Sequence, residues 1–170
     1  MTLQSLSAVL AIAVPLAAAA APWAKAVIHD AEGKELGAAT FTPTRGGVKV
    51  HVELAGLAPG NHGIHVHAAG KCEGPDFKSA GGHFNPRGKQ HGLRNPAGAH
   101  AGDLANLEVG KDGKARQTFV ARGATLGEGE GSLLGPEGTA LVIHADADDE
   151  MTDPAGNSGA RIACGVIERR

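Results

Sequence analysis

The chain lacks any long run of like charge. Its 170 residues carry a formal net charge of −2, and the densest charged patch is the acidic triplet at residues 148–150. Nucleic acid and anionic membranes select proteins with clustered Lys and Arg. We therefore expect no nucleic-acid partner and no binding to a membrane surface.

Aromatic residues and cysteines are scarce, whereas turn-forming residues are abundant. The sequence has no tyrosine, one tryptophan, four phenylalanines and two cysteines, against 26 glycines and 9 prolines. A chain of this length can bury one hydrophobic core without many disulfides. Because glycine and proline separate short apolar runs, the composition favours brief strands and turns over long helices.

The N-terminal segment is apolar but has no Lys or Arg among residues 1–5. Residues 6–21 resemble the hydrophobic and cleavage regions of a secretory signal peptide, and they are short for a bilayer span, which needs about 20 residues. We predict a signal peptide over residues 1–20, cut near Ala20, and a domain over residues 25–170. The mature protein is then exported, to the periplasm, without stable membrane insertion. An uncleaved membrane anchor is the alternative.

The two cysteines, Cys72 and Cys164, lie far apart in the sequence. An even count in an exported chain suggests one disulfide. In the chain-entropy model, closing a loop of this size contributes about 4 kcal/mol to stability. Two buried free thiols are the alternative if the chain is not exported.

Short apolar segments predict about eight strands. The clearest is residues 47–54, where apolar and polar side chains alternate as in a half-buried strand. The others are residues 25–30, 36–42 (ended by Pro43), those around 64–67, 104–109, 115–121, 141–145 and 161–167. Aperiodic stretches at 68–102 and 146–160 predict two long loops. This pattern is typical of an all-β barrel or sandwich that carries its chemistry on loops.

Histidines are frequent, with nine in the chain. His65 and His67 share one face of their predicted strand, opposite the apolar residues, so both imidazoles project away from the core. His62 has the parity of the apolar residues, and we expect it to pack and form hydrogen bonds. His29 and His51 are interpreted as exposed strand residues and not as ligands.

Further candidate ligands lie in the first predicted loop and at the end of a later strand. They are His83, His91, His100, Asp103 and His144. Imidazole nitrogen and carboxylate oxygen both bind zinc and copper, so the whole set could hold more than one ion. Metal ligation would also supply ordering energy that a loop without apolar periodicity cannot obtain from burial.

Taken in order, these residues resemble the copper/zinc superoxide dismutase family, in its bacterial exported form. The matching segments are residues 63–67, 80–86, 91–92, 100–104, 141–149 and 156–167. The resemblance spans about residues 25–168. It implies an eight-stranded Greek-key β-barrel with two long loops covering a bimetallic site, and an enzyme that converts superoxide to oxygen and hydrogen peroxide.

The resemblance also implies one copper and one zinc per subunit. The implied copper ligands are His65, His67, His83 and His144, and the implied zinc ligands are His83, His91, His100 and Asp103. His83 would bridge the two ions and exchange a proton, and Arg161 would guide the anionic substrate beside copper. Asp148 would link His65 to His91, and Cys72 would pair with Cys164. A homodimer is a candidate assembly, with the interface left open.

One departure concerns the charge that attracts the substrate. Residues 149–160 contain no lysine and are fewer than in the familiar animal form. Steering would therefore depend on cations of the other loop. The candidates are Lys71, Lys78, Arg87, Lys89 and Arg94.

Three other functions fit these residues less well. A dismutase-like copper/zinc-binding protein without turnover would be expected to lose a copper ligand or Arg161, and all are present. A zinc hydrolase leaves half of the candidate ligands unexplained. A blue-copper electron carrier requires a Cys ligand, and both cysteines are better used in a disulfide.

Overall fold

Ten strands make up the regular structure of residues 23–170, the part of the chain that this computed structural model describes. They are β1 (Ala24–Asp30), β2 (Glu35–Thr44), β3 (Gly47–Ala55), β4 (Gly60–His62), β5 (Ile64–His67), β6 (Leu107–Val109), β7 (Lys114–Arg122), β8 (Ala140–His144), β9 (Arg161–Val166) and β10 (Glu168–Arg169). In the described residues the helical structure is one 3-10 turn, Lys78–Ala80, and no helix is long and apolar enough to cross a membrane. The predicted signal peptide lies outside these residues.

The strands form a curled antiparallel sheet. Its hydrogen-bonded order is β5-β8-β9-β1-β2-β3-β7, and β10 pairs with β1. Between the two ends, β4 pairs with β6, β4 continues into β5, and β6 lies against β7. β3 pairs with β7 and not with the next strand in sequence, which is the crossing connection of a Greek key. The predicted all-β Greek-key barrel is confirmed.

Alternating side chains build the core inside this sheet. In β3 the alternating side chains of Val48, Val50, Val52 and Leu54 are buried, whereas Lys49 and Glu53 are exposed, as the sequence pattern predicted. β7 repeats the alternation with Phe119 and Ala121 inward. Each buried Val, Leu or Phe side chain contributes about 1.5–3 kcal/mol of transfer free energy, so this repeated pattern fixes the register of the central strands.

The strands differ from the prediction mainly at β2, β6, β4 and β10. β2 continues past Pro43, because its pairing with β1 ends at Phe41 and the proline then has a partner strand on one side only. β6 begins at Leu107 and not at Leu104, since the intervening Asn106 bonds to a loop. β4 and β10 were not predicted, because pairings of 3 and 2 residues carry no periodic signal.

Two loops cover the outer face of β5 and β8. The backbone of the first loop (residues 68–106) bonds to the backbone of Val66. The Phe84 N–H donates to the Val66 carbonyl, and the Val66 N–H donates to the Gly102 carbonyl. In the second loop (residues 145–160) the backbone carbonyl of Asp146 accepts the Gly63 N–H. His65 and His67 are consequently only 0% and 1% exposed, although they face away from the core.

A disulfide joins the first loop to β9. The Sγ atoms of Cys72 and Cys164 are 2.00 Å apart, and 92 residues separate the two cysteines in sequence. The predicted pairing is therefore present. It fixes the start of the first loop beside the strand that begins with Arg161.

Candidate metal centre

Sheet-like pairing brings the candidate ligands together. β5 carries His65 and His67, and β8 ends at His144. Two isolated β-bridges extend this pairing into the first loop, one between His67 and His83 and one between His65 and Asp103. Residues far apart in the loop are thereby placed directly against β5.

Four imidazoles converge on one point. His65, His67, His83 and His144 each have a ring nitrogen within 4.8 Å of those of the others, and we call these residues the four-histidine set. Of the side chains in residues 23–170, these four contain the buried polar atoms without any hydrogen-bond partner: Nδ1 of His65 and Nε2 of the other three. Each buried unpaired group costs about 1–3 kcal/mol, so four such atoms aimed at one point indicate a metal site.

The opposite ring nitrogens of this set do have partners. His65 Nε2 lies 2.6 Å from Asp148 Oδ2, His67 Nδ1 lies 2.9 Å from the Gly81 carbonyl oxygen, and His144 Nδ1 lies 3.3 Å from that of Gly159. Because these oxygens only accept, they hold the proton on the nitrogen that faces them. The lone pair is then on the converging nitrogen, as a metal requires.

A second group forms around one carboxylate. Asp103 Oδ1 lies 3.0 Å from the Nδ1 atoms of His83 and His91 and 3.3 Å from that of His100. We call these four residues the Asp103 set; one ligand atom from each lies within 4.8 Å of the others. Three imidazole nitrogens and one carboxylate oxygen suit tetrahedral zinc. His83 belongs to both groups, since its Nδ1 faces Asp103 and its Nε2 faces the four-histidine set.

Asp148 links the two groups, because its carboxylate contacts one imidazole of each. Its Oδ2 contacts His65 at 2.6 Å and its Oδ1 contacts His91 Nε2 at 3.0 Å, as the resemblance implied. The side-chain amide of Asn106 holds the Asp148 backbone from both sides, accepting from its N–H at 2.7 Å and donating to its carbonyl at 2.8 Å. The sequence did not indicate this role for Asn106. The residue lies 42 positions before Asp148, within a segment interpreted as a strand.

Burial keeps most of the four-histidine set neutral. Burial lowers the pKa of His67 to about 2 and that of His144 to about 3, with neighbouring imidazoles adding to the effect. Burial likewise lowers the pKa of His83 to about 4, although its hydrogen bond to Asp103 opposes this. Neutral imidazole is the form that binds metal, so these rings need not lose a ring-nitrogen proton to expose a lone pair at pH 7.

The charges of the Asp103 set have the opposite character. Burial alone would lower the pKa of His91, but its hydrogen bonds to Asp103 and Asp148 outweigh burial and raise the pKa to about 9. Burial would raise the pKa of the Asp103 and Asp148 carboxyls, yet their hydrogen bonds to the neighbouring imidazoles hold both pKa values well below the usual range. Two ionised carboxylates therefore face this end of the site and favour a cation.

A cavity of about 480 Å³ opens onto the four-histidine set, and we call it the mouth. Residues that line it include His67, His83, His144, Arg161, Lys89 and Asp153. Arg161 donates from Nη1 to the Phe77 carbonyl at 2.7 Å and from Nη2 to the Gly81 carbonyl at 2.6 Å, which fixes its direction. Burial lowers the pKa of Arg161, but a guanidinium stays protonated in proteins.

One of the five candidate steering cations lines the mouth, namely Lys89. Lys78 instead pairs with Asp76 at 2.6 Å, and Arg94 bonds to the Asp149 carbonyl at 2.6 Å. The backbone of Lys89 is fixed by Asn85, whose amide accepts from the Lys89 N–H at 2.9 Å and donates to its carbonyl at 2.7 Å.

The remaining histidines lie outside both groups. His62 is buried, with its ring nitrogens 2.8 Å from the carbonyl oxygens of His144 and Ala58, which confirms the predicted packing role. His51 lies on the outer face of β3, 2.8 Å from the Thr118 hydroxyl, and His29 lies on β1 opposite Cys164. Neither is among the clustered ligands.

Comparison with known proteins agrees with this geometry. The sequence profile of the family described as copper/zinc superoxide dismutase (SODC) matches residues 35–167. The chain belongs to the copper/zinc superoxide dismutase family. This is a family of oxidoreductases, and its members bind copper and zinc.

Relatives with this family name cover most of the chain. The chain is 47% identical over 146 residues to "Superoxide dismutase [Cu-Zn] 2" of Aquifex aeolicus, covering 85% of both chains. It is 43% identical over 148 residues to "Superoxide dismutase [Cu-Zn]" of Caulobacter vibrioides, again covering 85% of both. The crystal structure of a SOD-like protein from Bacillus subtilis superposes with a TM-score of 0.81 at 43% identity, over 84% of this chain and 96% of that one.

The donor atoms fit the metals of the family. The four-histidine set offers nitrogen alone, which suits both oxidation states of copper, and the Asp103 set offers the nitrogen and oxygen mixture that zinc accepts. The third close group, His65, His91 and Asp148, needs no ion, because its carboxylate already bonds to both imidazoles.

Proposed function

We propose that the protein is a superoxide dismutase with one copper and one zinc per subunit. In this proposal the four-histidine set binds copper and the Asp103 set binds zinc. The observation that carries it is the convergence of four buried, unpartnered imidazole nitrogens at the base of a cavity that also contains Arg161. Such a site combines a redox metal with a fixed cation for a small anion.

The chemistry divides between metal and protein. Copper, when bound, supplies one-electron oxidation and reduction, so that two superoxide anions and two protons give oxygen and hydrogen peroxide. Nitrogen-only ligation tolerates both copper states. Zinc has no redox chemistry and would hold the first loop in place.

His83 is the residue suited to move a proton. It is shared by both sets, with Nδ1 3.0 Å from Asp103 and a buried, unpartnered Nε2 in the four-histidine set. Because burial keeps its pKa at about 4, the ring does not retain an extra proton at pH 7. A proton that reaches Nε2 is therefore given up readily, and a departing peroxide can take it.

Arg161 orients the substrate. Two of its N–H groups donate to carbonyls of the first loop, which leaves the others free to bind an anion in the mouth. Its charge does not depend on pH over the physiological range. Lys89, on the rim of the same cavity, adds a second positive charge that attracts superoxide from solution.

Export is part of the proposal. Residues 1–20 act as a cleaved signal peptide and residues 25–170 form the mature domain, which acts against superoxide in the periplasm. The disulfide supports an oxidising compartment. Expression in a Gram-negative host tests this: the periplasmic protein should have an N-terminus close to residue 21, whereas full-length protein in the membrane fraction would contradict export. Homodimerisation stays a prediction, tested by sedimentation at several protein concentrations.

Superoxide consumption tests the activity directly. Purified mature protein loaded with both metals should consume superoxide, and His144→Ala or His65→Ala should abolish this with loss of copper. His51→Ala removes a histidine outside the site and should change nothing. Tight copper binding without superoxide consumption would instead support a dismutase-like metal-binding protein, an alternative kept because one similar structure is described only as SOD-like.

A further inference from the structure

One candidate zinc ligand lacks the support that the other imidazoles have. Apart from the shared His83, each proposed ligand histidine has one ring nitrogen directed away from the converging ligand atoms of its set. In His65, His67, His91 and His144 that nitrogen has an oxygen acceptor within 3.3 Å. For His100 the outward nitrogen is Nε2, since Nδ1 faces Asp103 at 3.3 Å. Among residues 23–170, the carboxylate within 4.0 Å of His100 Nε2 is that of Asp153, with Oδ1 at 3.8 Å.

Asp153 already contacts the neighbouring ligand. Its Oδ1 accepts the backbone N–H of His91 at 2.5 Å, so one oxygen lies between two members of the Asp103 set. The side chain is 48% exposed and lines the mouth, which leaves the carboxylate room to rotate. Neighbouring acidic residues are engaged elsewhere: Asp149 caps the backbone of Thr152, and Glu150 pairs with Arg94.

We infer that Asp153 is a positioning residue for zinc, an inference that rests on the proposed zinc set. Its carboxylate lies opposite the Nε2–H of His100 while it accepts the backbone N–H of His91. A separation of 3.8 Å exceeds a direct hydrogen bond, and one bridging water or a small rotation of the half-exposed carboxylate completes the contact. The proton is thereby kept on Nε2, and the Nδ1 lone pair of His100 stays directed at zinc.

No sequence pattern indicated this role of Asp153. Asp153 lies in the second loop, whereas His91 and His100 lie in the first, 62 and 53 positions earlier in the sequence. Only the folding of one loop over the other makes the contact. The second loop, which includes none of the proposed zinc ligands, thus acts on zinc through Asp148 and Asp153.

Zinc release provides the test. Fully loaded protein is mixed with the chelator 4-(2-pyridylazo)resorcinol, and zinc transfer is followed by absorbance. Asp153→Ala should release zinc about tenfold faster than wild type, the usual scale for loss of an acceptor behind a ligand histidine. Asp153→Asn keeps an acceptor oxygen and should fall between the two. Copper release should be unchanged in both variants.

A matched control separates this role from loop stability. Asp112 is also exposed and accepts a backbone N–H, that of Lys114 at 3.2 Å, but it contacts no imidazole. Asp112→Ala should release zinc at the wild-type rate. Thermal unfolding should show a larger loss of Tm for Asp153→Ala in the zinc-loaded protein than in the metal-free protein, where the substitution removes only the hydrogen bond to the His91 N–H. Cobalt in the zinc position should show altered visible bands in Asp153→Ala only.

The outcomes are distinguishable. Wild-type protein that holds no zinc would defeat the proposed zinc set, and this inference with it. Wild-type protein that holds zinc, with an Asp153→Ala variant that releases it at the same rate, would defeat the inference alone. A metal-free Asp153→Ala protein that loses as much Tm as the loaded one would reduce Asp153 to a structural role and also overturn it.

Discussion

At the scale of single residues, the two ends of the site differ in how they carry protons. Burial keeps His67, His83 and His144 of the four-histidine set neutral, whereas His91 is held protonated between Asp103 and Asp148. The same residue type thus has opposite charge states a few ångströms apart. The presence or absence of a carboxylate partner within hydrogen-bonding distance decides which state is adopted.

Zinc binding should therefore release a proton from His91. The pKa of His91 is raised to about 9, so the metal-free ring is protonated at pH 7 and must lose its Nδ1 proton to bind zinc. Calorimetric titration in buffers of different ionisation enthalpy should give about one proton released per zinc at pH 7. The release should fall toward zero as pH rises through 9. Absence of release at pH 7 would contradict the assigned charge state.

The same shift has a consequence for stability without metal. Because the folded pKa of His91 lies above its unfolded value near 6.5, its ion pairs stabilise the metal-free protein fully below pH 6.5. This contribution is lost as pH rises through about 9. Urea unfolding of metal-free protein at pH 6 and pH 10 should show it, and His91→Gln should remove the difference attributable to this residue.

Asn106 offers a second test at this scale. Asn106→Ala removes both hydrogen bonds to the Asp148 backbone and leaves that buried backbone unpaired, which should lower the free energy of unfolding by about 1–3 kcal/mol. Urea unfolding of the loaded protein measures this. Asn61, exposed on β4, provides the control, and Asn61→Ala should change stability little. Equal effects of the two substitutions would refute the anchoring role.

At the scale of elements, the second loop depends on one close backbone approach. Gly156 has φ +62°, and a Cβ added there would collide with the Asp148 carboxylate and with His91 Nε2. Gly156→Ala should therefore displace the loop and lower the free energy of unfolding by more than the roughly 1 kcal/mol that a left-handed alanine costs. Gly88, with φ +57° and no atom within 4 Å of an added Cβ, is the matched control. Only Gly156→Ala should also impair zinc retention.

The disulfide anchors the first loop to β9. Replacing Cys72 and Cys164 by Ser should lower the free energy of unfolding by up to about 4 kcal/mol, since 92 residues separate them. The loss should also loosen Phe77 and Gly81, whose carbonyls hold Arg161. Denaturant unfolding measures the first effect, and weaker azide binding to the copper-loaded protein measures the second. Unchanged stability would show that the loop is held by its metal ligands alone.

At the scale of the whole molecule, substrate delivery depends on where positive charge lies. With a net charge of −2, the molecule does not attract anions as a whole, so local cations must do so. Lys89→Ala should reduce kcat/KM severalfold at low salt and flatten its salt dependence, because the Debye length falls to about 10 Å at 0.1 M salt. Lys111→Ala, in an exposed turn outside the mouth, is the control. Identical salt profiles for the Lys89 variant and wild type would exclude this route.

Much of the molecule followed from the sequence. The alternation in β3 predicted the strand and its inward face, because a period of two residues admits one buried side. The histidines of β5 and the order of later ligands carried the resemblance to a family, and with it the fold. Whether a side chain can bind a metal depends on its residue type, so candidate ligands can be identified from the sequence without coordinates.

Tertiary structure alone decided what holds those ligands. Gly81, Gly159, Asn106 and Asp153 act through carbonyls, amides or carboxylates that any loop residue of the same type could offer. Their roles arise when two loops, separated in sequence by β6, β7 and β8, fold over one face of the sheet. A hydrogen bond between residues 14 to 62 positions apart has no periodic signature. The sequence therefore identified the candidate ligands, and the fold determined their tautomers, their charges and the mouth above them.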